Sequence, residues 1–311
     1  MITIFQVLFT FLAVLLGIKV LLGEQLVTAL LLASLATATA PAATVAVIKE
    51  YRAKGPVTST LLGVIALDDA LCIIIVGLIA ALVKVFIYSN GILTLSDLII
   101  PIKEIIGSLL VGSFSGFLIF YLLKYIREGN EILIILLGIV FFNSGAAHLL
   151  ELSPLLTNMV CGFVSANLSE KPFINYLENI EIPVFVAFFT LAGASLHLNY
   201  LLTYWMAAAV YVISRALGKV YGCYVGAKVT SSTENVRKYL GLAMLPKAGV
   251  SIGLILFIQN RFPGMELIAV ITAIELAAVT FFEIVGPLVT KYALEKSGEI
   301  KISEDKQVMR A

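Results

Sequence analysis

Charge is what this chain has least of. Asp, Glu, Lys and Arg make up 13% of its 311 residues, whereas a water-soluble domain carries roughly a quarter. That scarcity excludes a soluble globular protein. The net charge of +1, with no basic block and no basic residues interleaved with aromatics, excludes a nucleic-acid-binding surface. Cysteine is sparse too. Cys72, Cys161 and Cys223 stand alone inside apolar runs, which excludes a disulfide framework or a metal knuckle and leaves them as small packing residues. The opening segment MITIFQVLFTFLAVLLGIKVLL lacks the basic start and small-residue cleavage site of a signal peptide and exceeds its usual apolar length, so it is expected to stay in the membrane.

What the chain does have is apolar length. Hydrophobic residues reach 60% and the mean hydropathy is +1.03. A bilayer core of about 30 Å takes roughly 20 apolar residues of helix. Windows of that kind fall at 2–22, 25–48, 57–86, 98–126, 131–150, 152–168, 180–197, 199–228, 236–259 and 266–293. The expected fold is therefore an all-α polytopic membrane protein of about ten transmembrane helices. Residues 1–293 form one transmembrane unit with core helices at 1–86 and 199–293 and a middle block at 98–197, followed by a tail at 294–311. Fourteen of the 21 Lys and Arg fall in one set of loops and in the tail. This places both termini in the cytoplasm.

Within these apolar runs, VTSTLLGVIALDDALCIIIVGLIAALV carries Asp68 and Asp69 side by side near its centre. An ionised side chain at mid-bilayer costs on the order of 2.5–3.5 kcal/mol and marks a protein interior or a watery cavity. Neighbours on a helix point about 100° apart, so the two acids differ in surroundings and in role. One reading makes them helix-joining groups paired with a basic residue. Arg215 and Lys219 in YVISRALGKVYG lie one turn apart on one face. Both reach a depth similar to that of Asp68, so depth does not choose its partner. The other reading is chemical. Desolvation favours a protonated carboxyl and a nearby cation favours the ionised form, and the opposed effects suit a coupled pair that exchanges a proton for a metal ion.

Two further spans are interrupted. Pro41 follows the Thr-rich stretch of LLLASLATATAPAATVAVIKEY, and Pro246, Lys247 and Gly249 break GLAMLPKAGVSIGLIL. Proline removes a backbone donor and clashes with the preceding turn, so each span reads as two half-helices whose freed carbonyls and facing ends make an ion site. The order also repeats with inversion. Helix, broken helix and acid-bearing helix precede a middle block of four, and basic helix, broken helix and last helix follow it. The two triplets start on opposite sides of the membrane, an arrangement that puts a transport site at the repeat interface.

TATAPAATVAVIKE, LLGVIALDDAL, EIPVFVAFFTLAGASLHL, SRALGKVYG, LPKAGVSIGL and FFEIVGPL together resemble the monovalent cation:proton antiporters, in particular the double-aspartate branch of sodium/proton antiporters. The resemblance implies that Asp69 binds cation or proton in turn and that Asp68 is the branch-defining acid. It further implies that Lys219, or alternatively Arg215, pairs with Asp68 when the cation site is empty, and that Thr37 and Thr39 supply oxygen ligands. It implies no cofactor beyond the transported Na⁺ (or Li⁺ or K⁺) and H⁺, a prokaryotic inner-membrane location, and alternating access in a homodimer. About three amino-terminal helices of the family pattern are missing from this sequence, so a transport-silent chain or one half of a split antiporter is the alternative, and the dimer depends on those helices being supplied. Lys247 departs from the uncharged residue expected there and either tunes the site or snorkels to the interface. Glu275 and Glu283 of the last span are read as groups for interior hydrogen bonding or helix contact, in preference to ion handling. Gly112 and Gly116 are read as close-packing positions, and His148 and His197 as helix-end residues without ligands nearby. An intramembrane aspartyl protease, whose paired acids share a proton, lacks its Gly-x-Gly-Asp signature here.

Overall fold

The structure, a computed structural model, describes residues 1–23, 25–88, 95–126, 129–169 and 203–300, with isolated positions between 173 and 190. The span expected at 180–197 falls, those isolated positions apart, outside the described residues, as do His197 and the chain beyond residue 300. Among the described residues every regular element is helical. The chain is an all-α polytopic integral membrane protein.

Residues 1–79 and 196–311 form one compact unit and residues 80–195 another. The first unit holds α1 (Ile2–Leu16), which continues as one π-helical stretch, Gly17–Leu21. It also holds α2 (Leu26–Ala36), α3 (Pro41–Tyr51) and α4 (Pro56–Tyr88) as far as Ile79. From the end of the chain come α8 (Trp205–Val229), α9 (Glu234–Ala243), α10 (Gly249–Arg261) and α11 (Glu266–Lys296). The second unit contains α5 (Leu95–Leu122), α6 (Gly129–Leu149) and α7 (Pro154–Leu168). At the start of α7 the Ser153 hydroxyl accepts from the Leu156 amide while Pro154 takes the first helical position, where its missing N–H is no loss. Gly112 and Gly116 let α5 approach α7 closely, since a Cβ on them would lie 2.5 Å from the Thr157 carbonyl and 2.8 Å from that of Cys161.

Both interrupted spans are broken rather than kinked. Thr37–Ala40 separates α2 from α3, and Met244–Ala248 separates α9 from α10. Pro41 sits at the first position of α3 and so begins a half-helix instead of bending a whole one. Pro246 lies inside the second break and gives its carbonyl to the Ala40 amide at 3.0 Å. The two breaks are thereby joined through their backbones.

The triplets run in opposite directions. Gly218, Gly222 and Gly226 of α8 lie against Thr10, Gln6 and Ile2 of α1 in that order, so the helices are antiparallel. The end of α11 returns to the start of α4. There Glu299 accepts from the amides of Val57 (2.6 Å) and Thr58 (2.7 Å) and from the Thr58 hydroxyl (2.7 Å). A carboxylate at a helix start satisfies orphan N–H groups and complements the dipole.

Without a hydrophobic drive between helices in lipid, association depends on close packing of small residues. A Cβ on Gly222 would lie 2.6 Å from the Gln6 Cα. Gly222→Leu therefore has to push α1 off α8, and overpacking of this kind costs about 1–3 kcal/mol. The expected result is a lower melting temperature in detergent. An unchanged melting curve would show that the helices are not held this closely.

Candidate functional site

One face of α8 carries Tyr211, Arg215 and Lys219 at successive turns, all buried. A single helix thus presents a phenol, a guanidinium and an ammonium along one line, and each meets the breaks at a different level. The physical demand comes from α2. Its last carbonyls have no intrahelical partners, and the negative end of its dipole favours cations.

Those carbonyls are taken by the chain's own positive groups. Lys247 Nζ donates to the Leu35 carbonyl at 3.1 Å. Arg215 Nε donates to Ala36 at 3.1 Å and Nη2 to Ala38 at 2.8 Å, and Lys219 Nζ donates to Thr37 at 2.6 Å. Arg215 Nη1 also reaches the Leu245 carbonyl in the second break at 2.9 Å, and the guanidinium lies 4.3 Å from the centre of the Phe282 ring. Arg215 is therefore the pin that fastens both breaks. It makes no ion pair with Asp68.

Lys219 is the partner of Asp68. Its Nζ lies 3.2 Å from Asp68 Oδ2 and also donates to the Thr39 hydroxyl at 2.5 Å. Thr39 in turn donates to Asp68 Oδ2, and Gln6 Nε2 donates to Asp68 Oδ1. Asp68 and Lys219 are completely buried, so their charges offset each other, and both Asp68 oxygens accept hydrogen bonds, while the Gln6 Oε1 has no hydrogen-bond partner. Asp69 differs in the way a 100° step along the helix requires. It is partly exposed, and its buried Oδ1 has no hydrogen-bond partner. Of the two adjacent acids, Asp68 has a basic partner in Lys219 and Asp69 has none among the described residues.

The family model for the sodium/hydrogen exchanger, transmembrane, matches residues 1–296. The chain belongs to that family. Among solved structures, the sodium proton antiporter MjNhaP1 from Methanocaldococcus jannaschii, at pH 8, shares the fold with a TM-score of 0.76 and 15% identity. The match covers 95% of this chain and 78% of that one. No curated protein sequence matches the chain. The sodium/hydrogen exchanger family exchanges cations for protons across membranes and is a family of transporters rather than enzymes.

In this exchanger several residues stand differently from the sequence expectation. The carbonyls freed at the first break were expected to help make an ion site, yet Lys219 and Arg215 take those of Thr37 and Ala38, and Arg215 and Lys247 take those of Ala36 and Leu35 at the end of α2, where cations complement the helix dipole. Thr39 contributes its hydroxyl to Asp68 and Lys219, whereas the Thr37 hydroxyl turns back to the Ser34 carbonyl at 2.7 Å and offers only its own carbonyl to Lys219. Lys247 does not snorkel. It is fully buried and lies 2.5 Å from Glu275 Oε1. Glu275 is an interior group as expected, while Glu283 has a buried Oε2 without a hydrogen-bond partner. Gln6 and Tyr211 went unmarked in the sequence. The signal for Gln6 was an amide on an otherwise apolar face, and for Tyr211 its place one turn before Arg215.

Proposed function

We propose that this chain exchanges Na⁺ for protons across a prokaryotic inner membrane by alternating access, with both termini cytoplasmic, and that Asp69 is the group that holds cation or proton in turn. The observation that supports this reading is the division of labour between adjacent acids. Asp68 is neutralised and fully bonded by Lys219, Thr39 and Gln6, while Asp69 keeps an unmatched charge and an unpartnered oxygen. A monovalent cation or a proton each supplies the one positive charge this site needs. Hard cations bind oxygen, and the carboxylates of Asp69 and Asp68 with the Thr39 hydroxyl offer such a set.

A cation arriving beside Asp68 competes with Lys219 for Oδ2, so loading weakens the ion pair and unloading restores it. That competition links occupancy to the arrangement of the two breaks, since the same Lys219 also holds the Thr37 carbonyl. Alternating access then exposes the site first to one side of the membrane and then to the other. The homodimer implied by the resemblance belongs to the same proposal.

The test is proton flux in liposomes that contain the purified chain and a pH-sensitive dye. A pulse of Na⁺ is expected to collapse an imposed pH gradient, with Li⁺ and K⁺ as comparison arms. If none of the three cations moves protons above the level of empty liposomes, the exchange reading fails and the chain is a transport-silent member of its family.

A further inference from the structure

The site above uses one buried carboxylate–lysine pair, and the described residues of the unit hold a second. Glu275 of α11 and Lys247 of the second break form the other, at 2.5 Å and fully buried. Tyr211 donates its hydroxyl proton to Glu275 Oε2 and accepts from Lys247 Nζ at 2.6 Å. Lys247 Nζ also donates to the Leu35 carbonyl at 3.1 Å. Of the three donors of a lysine ammonium, Leu35 and Tyr211 take two, while Glu275 Oε1 faces Lys247 as an ion-pair partner.

The placement of this pair follows the inverted repeat. Asp68 lies on the third helix of the first triplet, and Glu275 lies on the third helix of the second. Lys219 stands one turn beyond Arg215 on α8, and Tyr211, which holds the second pair, stands one turn before it. The environments of the two acids nevertheless differ. Asp68 is followed by a partly exposed acid with a free oxygen, whereas Glu275 lies between the buried Ile274 and Leu276. The second pair is fully buried, and no acid stands next to Glu275 in the chain.

Resting on the exchange reading, we propose that Tyr211, Lys247 and Glu275 are positioning residues for the exchange. They form a static lock that fixes the second break against the end of α2, and so holds Arg215 and the Ala40–Pro246 backbone bond in register, without carrying cation or proton. The lock explains why a charge stands in the second break. Lys247 supplies a cation to the C-terminus of α2, and Glu275 cancels the cost of burying it. Removing either partner leaves the other as an uncompensated buried charge, while removing both leaves none.

Two readouts on Glu275→Gln, Lys247→Met and the double variant test this. The first is hydrogen exchange in detergent at the Ala40 amide, which bonds to Pro246, and at the amides of Gly249–Ile252. Each single variant is expected to lose protection there, and the double variant to regain it relative to either single. The second is flux in liposomes. Each single variant is expected to raise the apparent KM for Na⁺ on the order of tenfold, as misplacement of binding groups does, with a smaller change in maximal rate, and the double variant is expected to lower that KM again. The number of protons moved per cation, read from the membrane potential at which flux stops, is expected to be the same in all of them.

Single variants that keep wild-type protection in the second break overturn the lock. So does a double variant no better than the singles in both readouts, and so does a KM that stays at the wild-type value while protection falls, which would make the cluster merely structural. A changed proton count in the double variant overturns the claim that the cluster carries no proton. If the wild-type chain gives no cation-driven flux, the exchange reading has failed, and the hydrogen-exchange comparison alone still decides whether the lock exists.

Discussion

Asp69→Asn is expected to reduce cation-driven proton flux to the level of empty liposomes while leaving the protein as stable as before or more so. The two effects have one cause. Asp69 is the one of the two adjacent acids that no basic side chain pairs among the described residues, and its buried Oδ1 has no hydrogen-bond partner. An amide of the same shape supplies neither the negative charge that draws the cation nor a group that releases a proton at working pH. Among the described residues no hydrogen bond or ion pair involves the buried Asp69 Oδ1, and an unpaired charge costs more to bury than a neutral amide, so the replacement removes a cost instead of a support. Flux assays and thermal unfolding on the same preparation check both halves. Retained flux in the variant would move the ion-carrying role away from Asp69.

The opposite signature is expected at Lys219. Lys219→Met strips the ammonium from Asp68 Oδ2, from the Thr39 hydroxyl and from the Thr37 carbonyl at once, leaving a fully buried carboxylate without a counter-charge. Breaking a buried pair from one side costs about 3–5 kcal/mol, a large share of the stability of most proteins. The expected result is a sharp fall in melting temperature and in the yield of folded protein from detergent. Asp68→Asn in the same chain removes the stranded charge, so the double variant is expected to regain most of that loss. If Lys219→Met melts like the wild type, Asp68 is not held ionised by Lys219, and the division of labour between the two acids falls with it.

The sequence made the architecture legible because apolar length and proline placement act locally. A run of apolar residues needs no partner to be read as a span, and Pro41 and Pro246 interrupt their helices through their own backbone chemistry. The partners were hidden for a different reason. Lys219 and Arg215 lie at depths within a turn of Asp68, and which of them meets it depends on the rotation of α8 against α4, a quantity set by packing alone. The glycine stripe at 218, 222 and 226 is visible in the sequence at every fourth residue and fixes that rotation, but only after α1 is known to be what it faces. Lys247 and Glu275 carry opposite charges, yet one lies in the second break and the other on α11, with Tyr211 of α8 bonded to both, and no spacing along the chain announces such a meeting. The breaks show the subtlest case. Freed carbonyls look like ligands for a passing ion in the sequence, whereas in the folded protein the same dipoles are held by resident cations.

The contact between Glu299 and the start of α4 joins residues 242 and 241 positions apart in the chain. During synthesis the amides of Val57 and Thr58 emerge long before the carboxylate that finally receives them. The acid-bearing helix therefore stays open at its first turn until the last span has entered the bilayer, and the closing stitch of the fold is made by nearly the final residues described. A chain interrupted before Glu299 would carry every site residue and still lack the clasp that fastens the helix bearing them.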